Sequence, residues 1–308
     1  MTTRPTPEQL DTLSRFERAS FKVADWLAHP ALSPLSAGWN SVVMGALIYS
    51  CGSRRFDIQG LENLAPYGKK DSILLVSNHR SFFDFFTITA QLYWHTKLTK
   101  RIFFPVRGTF FYDHPLGPPV NWAMSGMRMF PPVMREKEKK AFNNYSVQRC
   151  VEELDREDVG TVLGIHPEGT RNKSDDPYAF LPAQPGVGRI ALGSQRAKVI
   201  PIFVLGMGQS ILGEMKMNIG APQDHPVDMW VGKPIDFEDL RPKANMLTTQ
   251  KRAADRCLHA IKTLAEEQRR HAAKREGRDP DAEPSVFDRD IRPSRVPPSA
   301  KEDLTGPG

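Results

Sequence analysis

Apolar residues fall into different rhythms along this chain. In PEQLDTLSRFERASFKVADWLA, residues 7–28, Leu10, Leu13, Phe16, Val23 and Leu27 recur at roughly helical spacing, while Arg15, Arg18 and Lys22 line another side. That pattern predicts an amphipathic helix with a basic flank. From Ala31 to Ser53 no charged residue occurs, and GWNSVVMGALIYSC within that stretch is mostly apolar. A bilayer-spanning helix needs about 20 consecutive apolar residues, and Pro34 and the serines shorten this run. The segment is therefore expected to touch a membrane rather than cross it. Arg54 and Arg55 follow directly, as a basic flank against anionic lipid would. A two-helix appendage packed on its own domain is the alternative, and the charge pattern fits both.

Farther along, strand and helix signals alternate. SILLVSN, RIFFPVR, GTVLGIHPEG and KVIPIFVLG are short β-branched or aromatic runs that end near Gly, Pro or Asn, with helical patterns between them at 83–95 and 140–157. The alternation predicts an α/β fold: a mostly parallel central sheet flanked by helices, preceded by an N-terminal helical membrane-associating hairpin. Ligands on such sheets gather at the carboxyl ends of the strands, where His79, Arg107, Glu168 and Gly206 fall. After Pro234, TTQKRAADRCLHAIKTLAEEQRRHAAKREGR is a long helical pattern rich in Lys and Arg, either a solvated face or a contact for lipid or nucleic acid. From Asp279 the chain is Pro-rich and charged with few apolar anchors, and it is expected to be disordered. The predicted parts are interfacial helices at 1–56, an α/β domain at 57–245, a basic helix at 246–278 and a tail at 279–308.

Composition narrows the partners. With 308 residues, 40% hydrophobic and 25% charged, the chain can bury a substantial core. A net charge of +6 favours something anionic: nucleic acid, a phosphorylated substrate or an acidic lipid surface. Cys51, Cys150 and Cys257 are odd in number and far apart, which argues against a disulfide framework and suits a reducing compartment. No Cys or His pair has metal-ligand spacing, so no metal is expected. Residues 1–30 are charged throughout, and no signal peptide is expected there.

Two stretches carry candidate chemistry. In LLVSNHRSFFDFF, His79 and Asp84 can meet only if His79 precedes the first helical turn. Ser81-x-x-Asp84 also has the spacing of a capping box, and the two readings are compatible. In HPEGTRNKS, Glu168, Gly169, Thr170 and Arg171 follow a strand stopped by Pro167. Arg171 offers the planar donor fork that suits a phosphate, and Gly169 lets backbone approach a ligand closely. A surface turn with an ion pair has the same composition.

Taken together and in order, Asn78-His79-x4-Asp84 and Pro167-Glu168-Gly169-Thr170-Arg171 resemble the glycerolipid acyltransferase family, of which lysophosphatidic acid acyltransferases are familiar members. RGTFFYDHPLG looks like the family's second motif and VIPIFVLG like its fourth. LPAQPGVGRIAL and VDMWVGKPIDF are similar to the helix start after the third motif and to the closing strand. The likeness covers about residues 70–236. It implies His79 as general base with Asp84 holding its tautomer, and Arg107, Glu168, Gly169, Thr170 and Arg171 around a glycerol phosphate acceptor. Arg107 stands where the family usually has lysine, and His166 where an aromatic or apolar residue is commoner. Arg135 matches the arginine that ends the second motif.

The implied reaction moves a fatty acyl group from acyl-CoA or acyl carrier protein to lysophosphatidate, without a cofactor. Glycerol 3-phosphate and other lysolipids share the motifs. Backbone N–H groups after Ser81 are expected to hold the oxyanion. Phe82, Phe83, Phe85 and Phe86 are expected to be core. Met124, Met127, Met129 and Met134 form either an acyl tunnel, a membrane contact or simple packing. The implied location is the cytoplasmic face of an anionic membrane, peripheral or monotopic. A lipid-binding relative without catalysis, or a thioesterase-like hydrolase, is the rival. The retained base argues against the first, and Arg107 and Arg171 against the second. Nucleic acid has no support beyond charge.

Overall fold

The computed structural model describes residues 3–134 and 136–289. Its centre is a six-stranded sheet. The strands are β1 (Phe56–Gln59), β2 (Ile73–Ser77), β3 (Ile102–Phe103), β6 (Val162–Ile165), β7 (Lys198–Leu205) and β8 (Val227–Val231), while β4 (Val106–Arg107) and β5 (Pro132–Val133) pair separately. The order across the sheet is β1-β8-β7-β2-β6-β3. From β7 to β3 neighbours run parallel; β8 is antiparallel to β7, and β1 runs parallel to β8 at the edge. The α/β architecture with a mostly parallel sheet is as the alternating pattern predicts. Every residue of β2 is buried, as a central strand covered on both faces must be. RIFFPVR is split rather than continuous, because Pro105 has no N–H for the ladder.

The flanking helices begin with α1 (Pro7–Asp11) and α2 (Arg15–Leu27), where one helix is expected. The break is a capping box: Ser14 Oγ accepts from Glu17 N–H at 3.2 Å, and Glu17 accepts from Ser14 N–H at 2.8 Å. Phe21 of α2 packs on Phe130, Phe142 and Tyr145, so this helix sits on the domain. Phe16, Val23 and Trp26 stay exposed. Pro30–Gly52 then forms 23 helical residues, long and apolar enough to cross a membrane by length and composition, with 28% of its most apolar window buried. It comprises a tight 3-10 turn at Pro30–Leu32, α3 (Ser33–Trp39), a wider π turn at Asn40–Met44 and α4 (Gly45–Gly52). Arg55 does not flank lipid. It is buried, ion-paired to Glu214 at 2.7 Å, and donates to the carbonyls of Cys51, His225 and Gly206.

Next come α5 (Asp84–His95), the distorted turn α6 (Gly108–Phe111), α7 (Gly117–Ser125), α8 (Lys140–Leu154), α9 (Pro185–Gly193), α10 (Ile211–Gly220) and α11 (Leu247–Arg275). The basic helix α11 is not a separate part. Ala253, Cys257, Ile261 and Ala265 share one core with Val187 and Ile190 of α9 and Phe203 of β7. A Cβ at Gly188 would lie 1.8 Å from Gln250 O, so glycine sets how closely α9 and α11 approach. Contrary to the expected disorder from Asp279, residues 279–289 pack against α11. Val286 is fully buried, and its N–H donates to Glu266. Residues 290–308 lie outside the described part. Phe83, Phe85 and Phe86 are buried, and so are Met127, Met129 and Met134, which leaves little of the methionine run for a surface.

Candidate active site

At the end of β2, Asn78 ties the departing chain to β7. Its amide donates to Val204 O at 2.7 Å and accepts from Val204 N–H at 2.8 Å, copying a strand ladder. His79 follows, with Nδ1 3.2 Å from Asp84 Oδ2. That oxygen also accepts the backbone N–H groups of Arg80 at 2.6 Å and Ser81 at 2.7 Å. The dyad contact and half of the expected capping box therefore share one atom. The other half is not made. Ser81 Oγ accepts from Phe83 N–H and donates to Gly208 O, and Phe83, which stands at the N-cap position of α5, makes no side-chain cap.

The N–H groups expected to cradle an oxyanion have protein partners. Those of Arg80 and Ser81 serve Asp84, that of Phe82 serves Gln209 Oε1 at 3.2 Å, and that of Phe83 serves Ser81. Each is already engaged within the protein.

The strand β6 ends beside β2, with Val76 paired to Ile165, and so brings the second motif alongside the first. Glu168 is 2% exposed. Its Oε1 accepts His79 N–H at 3.1 Å and its Oε2 accepts Leu181 N–H at 2.8 Å. Glu168 thus joins the 168–171 loop to the His79 turn and to the chain at Leu181. A buried carboxyl group that accepts two backbone N–H groups acts as a strut for the His79 loop.

Arg107 reaches the same loop, donating to Gly169 O at 2.8 Å. Arg171 donates to Gln209 Oε1 at 2.9 Å. Gly169 has φ +65, the left-handed region, and a Cβ there would press on Gln184 Cγ. Thr170 is half-buried between Gly169 and Arg171. Arg135 lies outside the described residues.

Residues 55–205 match the family model described as Acyltransferase. The chain thus carries an acyltransferase domain, of the family of the glycerolipid acyltransferases. No curated protein matches it.

The environment of the His79–Asp84 pair shifts both groups. Burial, and then the charge of Arg171, lowers His79 to about 4, so its imidazole is neutral at neutral pH. Burial raises Asp84, while His166 and the N–H groups of Ser81 and Arg80 pull it down. An ionised Asp84 can only accept from this ring nitrogen, which selects the Nδ1–H tautomer and leaves Nε2 with a free lone pair. Burial also pushes Glu168 up to about 7, against the pull of the N–H groups of Leu181 and His79.

Sequence reasoning missed Gln209, whose amide links Arg171 to the 80–82 turn by accepting from Phe82 N–H and donating to Arg80 O. Nothing in its neighbourhood signals that role. Asn78 carried a signal, a polar residue on an apolar strand's last step, without the partner being readable. Asn172 is a third, donating its backbone N–H to His79 O at 2.7 Å.

Proposed function

We propose that this acyltransferase takes an acyl thioester, acyl-CoA or acyl carrier protein, and esterifies the hydroxyl of a glycerol-phosphate-type lipid, with lysophosphatidate giving phosphatidate. It would thereby serve phospholipid biosynthesis. The observation that supports this reading is the neutral His79 held by Asp84 beside the guanidiniums of Arg107 and Arg171. His79 Nε2 takes the acceptor's hydroxyl proton as its oxygen bonds to the thioester carbonyl carbon. The C–S bond then breaks, and the proton passes from the imidazolium to the departing thiolate. Asp84 stabilises the imidazolium between those events. Arg107 and Arg171 each spend only part of a five-donor fork on the protein, which suits them to the acceptor phosphate, with Gly169 and Thr170 between them. No cofactor is required by these steps.

A lipid acceptor calls for a membrane, and Trp26, Leu35, Val42 and Val43 are exposed on the uncharged N-terminal segment and the helix before it. We place the protein on the cytoplasmic face of an anionic membrane, peripheral or monotopic. Glycerol 3-phosphate or another lysolipid would answer to the same groups. The test is thiol release from acyl-CoA by the purified chain, with and without lysophosphatidate. Release that depends on the acceptor and yields phosphatidate supports the reading. Release without acceptor makes the protein a hydrolase, and none with any donor and acceptor makes it a binding protein.

A further inference from the structure

His166, the residue that departs from the family's usual aromatic or apolar one, lies flat against the proposed base. The His79 and His166 rings are 4.0 Å apart at their centroids, with planes 3° from parallel. The stack follows from the sheet. Val76 pairs with Ile165, so the next residues along, Ser77 and His166, leave β2 and β6 side by side. His166 Nδ1 lies 3.1 Å from both the Oγ and the carbonyl oxygen of Ser77, and the Phe85 ring meets it edge-on at 6.2 Å. His166 is thus held by groups that are themselves buried, and one ring face is left for His79.

Asp84 fixes which nitrogen of His79 carries hydrogen, but one contact to one ring nitrogen leaves the ring free to tilt. A parallel ring at van der Waals distance removes that tilt. We infer that His166 is a positioning residue, whose face holds the His79 ring so that Nε2 stays aimed at the acceptor hydroxyl. The same face lies under the imidazolium once the proton is taken, where an aromatic surface attracts a cation. The charged groups around the pair are Asp84, Glu168, Arg80 and Arg171, and none of them occupies the face that His166 covers. This inference rests on the reading of His79 as the base.

The test compares His166→Phe, which keeps a flat ring without the Ser77 contact, with His166→Leu, which fills the space without one. Two readouts are taken on the full chain: the ring-nitrogen NMR signals of His79 and steady-state acyl transfer to lysophosphatidate. Wild type and His166→Phe should show one sharp set of His79 ring signals, and His166→Leu signals broadened or multiplied by a ring free to tilt, with the Asp84-held tautomer unchanged. The kcat of His166→Leu should fall by about 10- to 100-fold with the acceptor KM unchanged, while His166→Phe stays within about three-fold of wild type. One sharp set of His79 ring signals and undiminished kcat in His166→Leu overturn the inference. So does a His166→Phe as impaired as His166→Leu, which would credit the Ser77 contact instead. If the chain transfers no acyl group, the acyltransfer reading fails by itself, and the NMR comparison still decides whether His166 positions the ring.

Discussion

Asp84 Oδ2 accepts from two backbone N–H groups and touches His79 Nδ1, so one carboxylate oxygen both shapes the turn into α5 and orients the imidazole. The stretch was legible in the sequence as a cap through Ser81 and Asp84 or a dyad through His79 and Asp84, and the structure makes the dyad contact and half of the cap on one oxygen. Glu168 was not legible in the same way, because its partners Leu181 and His79 are brought to it only by the fold. Glu168→Gln tests that strut. Gln has one acceptor oxygen where two backbone donors wait, so kcat should fall at least about 10-fold with little change in acceptor KM, whereas loss of an acceptor contact would raise KM. The pH profile follows from His79. Its conjugate acid is disfavoured by burial, so base function is present at neutrality and is lost only as pH falls through about 4. The acid limb of kcat/KM should therefore lie well below the ordinary histidine value of about 6.5, and a limb at that value would contradict the burial argument.

Elements were readable wherever a local signal existed. The apolar runs named the strands β2, β6 and β7, and the helical spacing named α5 and α8. The split between α1 and α2 had a signal too, Ser14-x-x-Glu17, but the longer apolar rhythm hid it. Long-range partners left no trace in the sequence. Arg55 and Glu214 are 159 residues apart and meet as a buried pair, so a charge read as facing lipid is spent inside. Arg55→Met should destabilise the fold by about 3–5 kcal/mol, because Glu214 is left charged and unpaired, and replacing Glu214 by Leu as well should recover much of it. Denaturant unfolding measures both. Asn78→Ala removes two hydrogen bonds and strands the Val204 backbone groups, which should cost about 2 kcal/mol in the same assay.

For the whole molecule, the exposed apolar surface extends beyond the segment that the sequence marked. α10 packs on α4 and leaves Leu212 and Ile219 more than 70% exposed, at 73% and 72%. Val42 at 67% and Trp94 at 49% are also open. ILGEMKMNIG reads as an ordinary surface helix, so only the packing shows α10 as part of the apolar exterior. Sedimentation with vesicles containing anionic phospholipid tests this surface. Leu212→Asp with Ile219→Asp should lower vesicle partitioning by roughly 10-fold or more, the order expected from losing buried apolar side chains. Unchanged partitioning would confine any membrane contact to the N-terminal segment.

The central claim is that His79, delivered by β2 and held by Asp84, is the base for acyl transfer. The most direct measurement is the turnover of purified His79→Ala, with its unfolding transition compared with that of wild type. The account predicts a matching transition and a fall in acyl transfer of roughly 10²–10⁴-fold. Turnover within a few-fold of wild type in a folded variant would contradict it.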